Sequence, residues 1–195
     1  MIDKPQILIE ASARHVHVTK EALAVLFGPQ AVLHNVRELS QPGQYLTEEK
    51  LRVEGPRGGI DRVSILGPER PDTQVELSLS DSRALGISPP VRESGQVAGS
   101  SPCRLIGPHG TLDIDEGAIV AKRHIHLVPD TAAAFNLSDR EIVQVRVDGP
   151  RALIFDEVVV RVSPNFSDRM HIDFDEFNAA GLSGETMGTV CKIEH

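Results

Sequence analysis

The sequence predicts a mainly β protein: two small β-barrels related by an internal repeat, each capped by a short helix. Three observations predict it. Short stretches of alternating, β-branched residues end on Gly or Pro along most of the chain. Two stretches, 20–28 and 129–137, have helix-forming composition instead, and each follows an H-x-H triplet. Those triplets sit in matching contexts, Arg14-His15-Val16-His17-Val18 and Arg123-His124-Ile125-His126-Leu127, so the chain carries its own repeat.

Strands are expected, in order, over 6–14, 51–55, 61–67, 73–80, 103–107, 142–149 and 156–163. After the triplets the echoes continue. Gly55-Pro56-Arg57 matches Gly149-Pro150-Arg151, Asp61-Arg62-Val63 matches Asp156-Glu157-Val158, and Ala84-Leu85-Gly86-Ile87 matches Ala179-Ala180-Gly181-Leu182. The separation drops from 109 at the triplets to 95 at the later echoes, which implies a longer loop within 28–50 of the first half. The 89–102 stretch, PPVRESGQVAGSSP, reads as a loop. Closed barrels are favoured over open sheets because closure removes exposed edges.

Composition limits the function classes. With 20 Lys+Arg against 28 Asp+Glu, the net charge of -8 disfavours a general binder of nucleic acid or anionic membrane. No Trp and one Tyr leave no aromatic platform for stacking bases. Cys103 and Cys191 cannot build a disulfide framework and read as reduced thiols, more suited to packing than to nucleophilic attack. The N-terminal MIDKPQILIE is no secretory signal, and no apolar run spans a membrane, so a cytoplasmic protein is expected.

The histidines carry the chemistry. On a strand, residues i and i+2 share a face, so an H-x-H pair presents two imidazoles side by side, as a zinc-like ion requires. Chance predicts about 0.3 such triplets for this histidine content, so two in matching contexts outweigh a reading as satisfied structural histidines. The 95-residue separation carries Glu76 onto His171 and so supplies each pair with a third donor. The half-sites become His15, His17, Glu76 and His124, His126, His171, both open three-ligand sets. Glu21 and Asp130 are better explained as first-turn acids that suit a helix dipole. His34, His109 and His195 are not expected to be ligands. Arg70, in the turn before the strand of Glu76, is a candidate anion anchor, and Arg92 and Ser94 lie in a Gly-bounded loop. There is no G-x-S-x-G elbow, P-loop or dinucleotide fingerprint.

These residues resemble the PduL-type phosphate acyltransferases, the phosphate propanoyltransferase family. The matching stretches are SARHVHV (12–18), LSQPGQYL (39–46), GPERPDTQVELS (67–78), VRESG (91–95), AKRHIHL (121–127) and MHIDFDEFNAAG (170–181). The resemblance implies reversible conversion of propanoyl-CoA or acetyl-CoA plus phosphate to acyl-phosphate plus CoA. It implies two zinc ions per chain, one on His15, His17 and Glu76 near the CoA sulfur, the other on His124, His126 and His171. Arg70 would position phosphate, with Ser94 beside it in the catalytic set. Ser12, Arg37, Leu66, His171 and Asn178 fall on CoA-pocket stretches. The implied domains are 1–13 plus 122–195 and an inserted 14–121, in a homodimer. Some family members enter bacterial microcompartments on an N-terminal targeting helix. Only a dozen residues precede the first triplet here and no such extension is seen, so the cytoplasm is the expected location, with the microcompartment lumen as the alternative the resemblance leaves open.

Two other readings predict different behaviour. A metal-dependent hydrolase or cupin-like oxygenase would use His15, His17 and Glu76 as a facial triad, and oxygen uptake would reveal it. A non-catalytic metal-stabilised barrel binding CoA-like ligands would hold closed four-ligand sites and turn nothing over.

Overall fold

A computed structural model describes residues 5–193. The chain order is β1 (Gln6–Ser12), β2 (His15–His17), α1 (Lys20–Phe27), β3 (Asn35–Glu38), β4 (Tyr45–Gly55), β5 (Gly58–Gly67), β6 (Gln74–Glu76) and α2 (Leu79–Leu85). Then follow β7 (Val91–Arg92), β8 (Ser101–Ile106), β9 (Thr111–Ala121), β10 (His124–Leu127), α3 (Pro129–Ala134), β11 (Ile142–Val147), β12 (Leu153–Val162), β13 (Arg169–Asp173), α4 (Phe174–Ala179) and β14 (Thr186–Lys192). The expected class, mainly β with two repeat-related barrels and short helices, is what the chain adopts.

Two compact units divide the chain: Met1–Ser12, Ser40–Pro42 and Lys122–His195 form one, Ala13–Leu39 and Gly43–Ala121 the other. The first is a closed barrel in the order β1-β13-β10-β12-β11-β14. In the second, β4-β5-β2-β6-β9-β8 closes through the pairing of β8 with β4, while β3 and β7 extend from β4 and β9. The two rings match strand for strand. β2 lies parallel to β5 and antiparallel to β6, as β10 lies parallel to β12 and antiparallel to β13.

The strand before each H-x-H breaks the simple repeat. β1 immediately precedes β2 in the chain but pairs with β13 and β14. Likewise β9 precedes β10 but pairs with β6 and β8. The three residues Ser40–Pro42 group with the first unit, although the chain on either side of them belongs to the second. Their polar side chains account for this: Gln41 donates to Ser167 O at 2.9 Å and accepts from Ser167 N at 3.2 Å, and Ser40 donates to Glu10 at 2.6 Å.

Each long hairpin bends at the same repeat position. Between the pairs Leu51–Val63 and Val53–Ile60, one residue of β4 faces two of β5. Between Val143–Val158 and Val145–Phe155 the same mismatch recurs in β11 and β12. The extra residues, Arg62 (φ 58) and Glu157 (φ 50), take left-handed backbone conformations. Such bulges sharpen the bend and twist that a six-stranded ring needs to close.

Inward-facing aliphatics fill both rings. Ile9, Ile125, Leu127, Val143, Val160 and Met170 are among the buried residues of one, and Val16, Leu26, Val53, Ile65, Val75 and Leu105 of the other. Each fully buried side chain of this kind contributes roughly 1.5–3 kcal/mol. Cys103 lies in the second core, 8% exposed, and burial pushes its thiol up to about 12. A thiol reagent applied to the native protein is therefore expected to leave Cys103 unmodified until the chain is unfolded. Rapid labelling of Cys103 in the native state, read by peptide mapping, would contradict this packing.

Among the described residues each ring carries two short helices, one of them the helix that follows the H-x-H triplet. The stretch 73–80 does not continue as a strand, because Ser78 caps α2: its Oγ accepts from Asp81 N, and Asp81 returns a bond to Ser78 N. Asp173 caps α4 in the same way through Glu176 N at 2.9 Å. Gly86 ends α2 in the left-handed region (φ 77), and a Cβ there would meet the Arg57 side chain at 2.6 Å. Gly181, its repeat counterpart, takes φ 64 against the Arg151 side chain. The echoing Gly-Pro-Arg and Ala-x-Gly segments are thus two ends of one packing contact, made twice.

Candidate metal centres and their surroundings

β2 is too short to place more than three residues, and all three are buried. His15 and His17 share a face, with ring centroids 4.9 Å apart. Antiparallel β6 sets Glu76 opposite His15 and Gln74 opposite His17. His15, His17 and Glu76 then offer three ligand atoms lying within 4.8 Å of one another. Backbone carbonyls orient both rings: His15 Nδ1 bonds to Ala13 O at 2.8 Å and His17 Nδ1 to Leu66 O at 3.1 Å. With Nδ1 donating, Nε2 of each ring keeps its lone pair for a cation.

The second set repeats the plan on β10 and β13. His124 stands opposite His171, and His124, His126 and His171 bring ligand atoms within 4.8 Å of one another. His124 Nδ1 bonds to Lys122 O at 2.8 Å, as His15 does to Ala13. Here the neighbouring strand β1 adds Glu10 opposite His171, where β9 places Ile119 opposite Glu76. Glu10 Oε2 is 3.3 Å from His171 Nε2, and Arg169 Nε donates to Glu10 Oε1 at 3.0 Å.

The electrostatics suit cation ligands. Burial drives His17 down to about 3, helped by His15 and Arg70, so its imidazole is neutral at physiological pH. Burial takes His126 down to about 2, with His124 and His171 adding to the effect. Burial opposes ionisation of Glu76, yet the adjacent His15 holds the carboxylate well below its usual range. Burial likewise opposes charge on His15, and Glu76 overcomes it, raising His15. The hydrogen bond to His171 is the largest effect holding Glu10 down at about 2.

His126 Nδ1 is buried with no hydrogen-bond partner. Leaving such a nitrogen unsatisfied costs about 1–3 kcal/mol. A second set of three imidazoles around that orphan, and a first set in which one carboxylate joins two imidazoles, both fit a zinc-like ion.

The first set has polar neighbours of its own. Arg70 N donates to Val18 O at 2.9 Å, and Arg70 Nη1 donates to Ser94 Oγ at 3.3 Å. Ser94 Oγ in turn donates to Glu76 Oε1 at 2.8 Å. Arg70, Ser94 and Glu76 thus form one chain of contacts, linking the expected anion anchor to the expected metal ligand. Of the expected CoA-pocket residues, Leu66 touches the site through the carbonyl that orients His17. Ser12 ends β1, Arg37 is exposed on β3, and Asn178 is exposed on α4.

The other histidines lie elsewhere. His34 pairs with Glu49 at 2.6 Å on the surface, and the backbone N of His109 donates to Leu26 O. His195 falls outside the described residues. Glu21 occupies the first turn of α1, after the cap in which Thr19 accepts from Ala22 N. Sequence reasoning missed Glu10, Gln74 and Arg169. Gln74 and Arg169 each stand two residues before a third candidate ligand, on the same strand face, whereas Glu10 meets His171 only through the pairing of β1 with β13.

Two duplicated six-stranded barrels, each with a three-donor set led by an H-x-H strand, define the class: a double-barrel protein with paired candidate metal centres. A family model described as phosphate propanoyltransferase matches residues 8–183. Similar curated proteins bear that name in Enterococcus faecalis, 49% identical over 94% of this chain and 87% of the relative, and in Listeria monocytogenes, 50% identical over 94% and 86%. A third, from Clostridioides difficile, is 47% identical over 95% and 87%. The chain belongs to the phosphate propanoyltransferase family and is an acyltransferase. No helix among the described residues is long and apolar enough to cross a membrane.

Proposed function

We propose that this chain transfers a short acyl group, propanoyl or acetyl, reversibly between CoA and inorganic phosphate, with zinc held by both histidine sets. The carrying observation is the contact chain from Arg70 through Ser94 to Glu76, which joins an anion-binding group to a cation-binding one. Bond changes balance simply: a phosphate oxygen forms a bond to the acyl carbon, the carbon–sulfur bond breaks, and sulfur leaves as the CoA thiolate. When bound, zinc would stabilise the leaving thiolate and polarise the carbonyl.

The protein's own groups do the positioning. Arg70 would pair with the phosphate dianion through its planar guanidinium, turning a bimolecular encounter into an oriented attack. Ser94 steadies Arg70 by accepting its hydrogen bond while giving its own proton to Glu76. That commitment leaves Ser94 poorly placed as a nucleophile, and Cys103 is sealed in a barrel core. Both facts favour direct attack by phosphate over an acyl-enzyme. Ser12, Arg37, Leu66, His171 and Asn178 are the residues proposed to contact CoA.

The test is an assay on purified protein with acetyl-CoA and propanoyl-CoA, following CoA release with and without phosphate. Phosphate-dependent release is expected, with about two zinc ions per chain by elemental analysis of the same sample. Release that ignores phosphate would make the protein a hydrolase, and a trapped covalent acyl-enzyme would overturn direct attack.

A further inference from the structure

We propose that Gln74 is a positioning residue that fixes Glu76 as a one-oxygen metal ligand; this rests on the metal reading of His15, His17 and Glu76 given above. Gln74 is 2% exposed on β6, and a buried amide must satisfy both its ends. The backbone N of Gly95 lies 2.7 Å from Gln74 Oε1 and can only donate. That contact decides the orientation of the amide, so its nitrogen must face the other way. Gln74 Nε2 accordingly donates to Glu76 Oε1 at 2.6 Å and to Ser94 Oγ at 2.9 Å.

The consequence falls on Glu76. Its Oε1 takes donors from Gln74 and Ser94, which occupy both lone pairs of that oxygen. Its Oε2 lies 3.6 Å from His15 Nε2, the nitrogen left available by the bond from Nδ1 to Ala13 O. One carboxylate oxygen is therefore spent on the protein and the other is presented beside the imidazole. A bidentate carboxylate would need Oε1 released from both donors. Through Gly95, the same amide also ties down the loop that carries Ser94, and so the partner of Arg70.

The repeat supplies an independent parallel. Arg169 takes the place of Gln74, opposite His126 as Gln74 is opposite His17. It donates to Glu10, which in turn contacts His171. A carboxylate ligand is backed by a neutral donor, and an imidazole ligand by a carboxylate. Each backing group matches the hydrogen-bonding capacity of the ligand it supports.

The experiment measures zinc binding without substrate, by competition against a chromophoric chelator, in the parent protein and in Gln74→Leu and Gln74→Glu. Gln74→Leu removes both donors. Gln74→Glu keeps size and the acceptor for Gly95 N but sets a second carboxylate against Glu76, so it decides the matter if the leucine variant does not fold. We expect one of two zinc ions per chain to weaken about 10–100-fold while the other is held as in the parent. A parent that binds two ions, with folded variants that bind both as tightly, would overturn the role of Gln74 alone. A parent that takes up no zinc would overturn the metal reading and this role with it.

Discussion

Replacing Arg70 with alanine is expected to cut turnover by about 10²–10³-fold, the usual cost of deleting a group that stabilises developing charge. Phosphate saturation should be lost with it, while zinc content should match the parent. The reasoning is electrostatic. A phosphate dianion approaching a thioester carbonyl needs a fixed cation to offset charge and set its direction, and Arg70 is tethered at both ends for that task. Its backbone N is bonded to Val18 O beside the H-x-H strand, and its guanidinium to Ser94. Arg70→Lys should recover only part of the activity, because an ammonium keeps the charge but not the planar two-point geometry. Steady-state kinetics over a phosphate series, with metal analysis on each variant, would separate these effects. Loss of zinc in Arg70→Ala would show that the residue supports the metal site instead.

The second large effect is expected from the metal ligands. Chelation to the metal-free protein should reduce turnover by at least ~10³-fold, since a Lewis acid at such a centre supplies several kcal/mol and each 1.36 kcal/mol is tenfold. Adding zinc should restore it. His124→Ala should leave about one ion per chain, because the two donor sets are built from different strands and each is complete in itself. Stability offers a readout independent of turnover: zinc at 100 times its dissociation constant should add about 2.7 kcal/mol to the unit that binds it. A melting temperature indifferent to zinc, together with full activity after chelation, would remove the metal from the account.

The positions that line up these donors were legible in the residue string to an unusual degree. The paired H-x-H triplets locate two imidazoles per site, and the 95-residue separation carries Glu76 onto His171; the fold then places each opposite the first histidine of its own triplet. The legibility has a simple origin. A strand has a period of two, so same-face donors are adjacent in sequence, and a duplicated fold repeats its register. Helices α2 and α4 are too short to show periodicity, and they lack the run of alanines that marks the equally short α3 as helix-forming. Their capping residues, Ser78 with Asp81 and Asp173 with Glu176, were the signal that could have revealed them.

Other features depend on pairing that no local pattern encodes. β1 and β9 read as ordinary strands, and nothing in either says that it completes a ring with strands distant in sequence. Only that pairing sets Glu10 against His171 and Ile119 against Glu76, so that two equivalent positions differ in charge at the heart of each site. Gln74 is likewise an unremarkable amide in the sequence. It becomes a support for Glu76 when the loop through Gly95 folds back and supplies the one donor that decides which way the amide points. Composition and spacing thus determine which residues could bind a cation. Some of the hydrogen bonds that orient those groups are local, as from His15 to Ala13, but those from His17 to Leu66, Ser94 to Glu76 and Glu10 to His171 join distant segments and exist only once the barrels have closed.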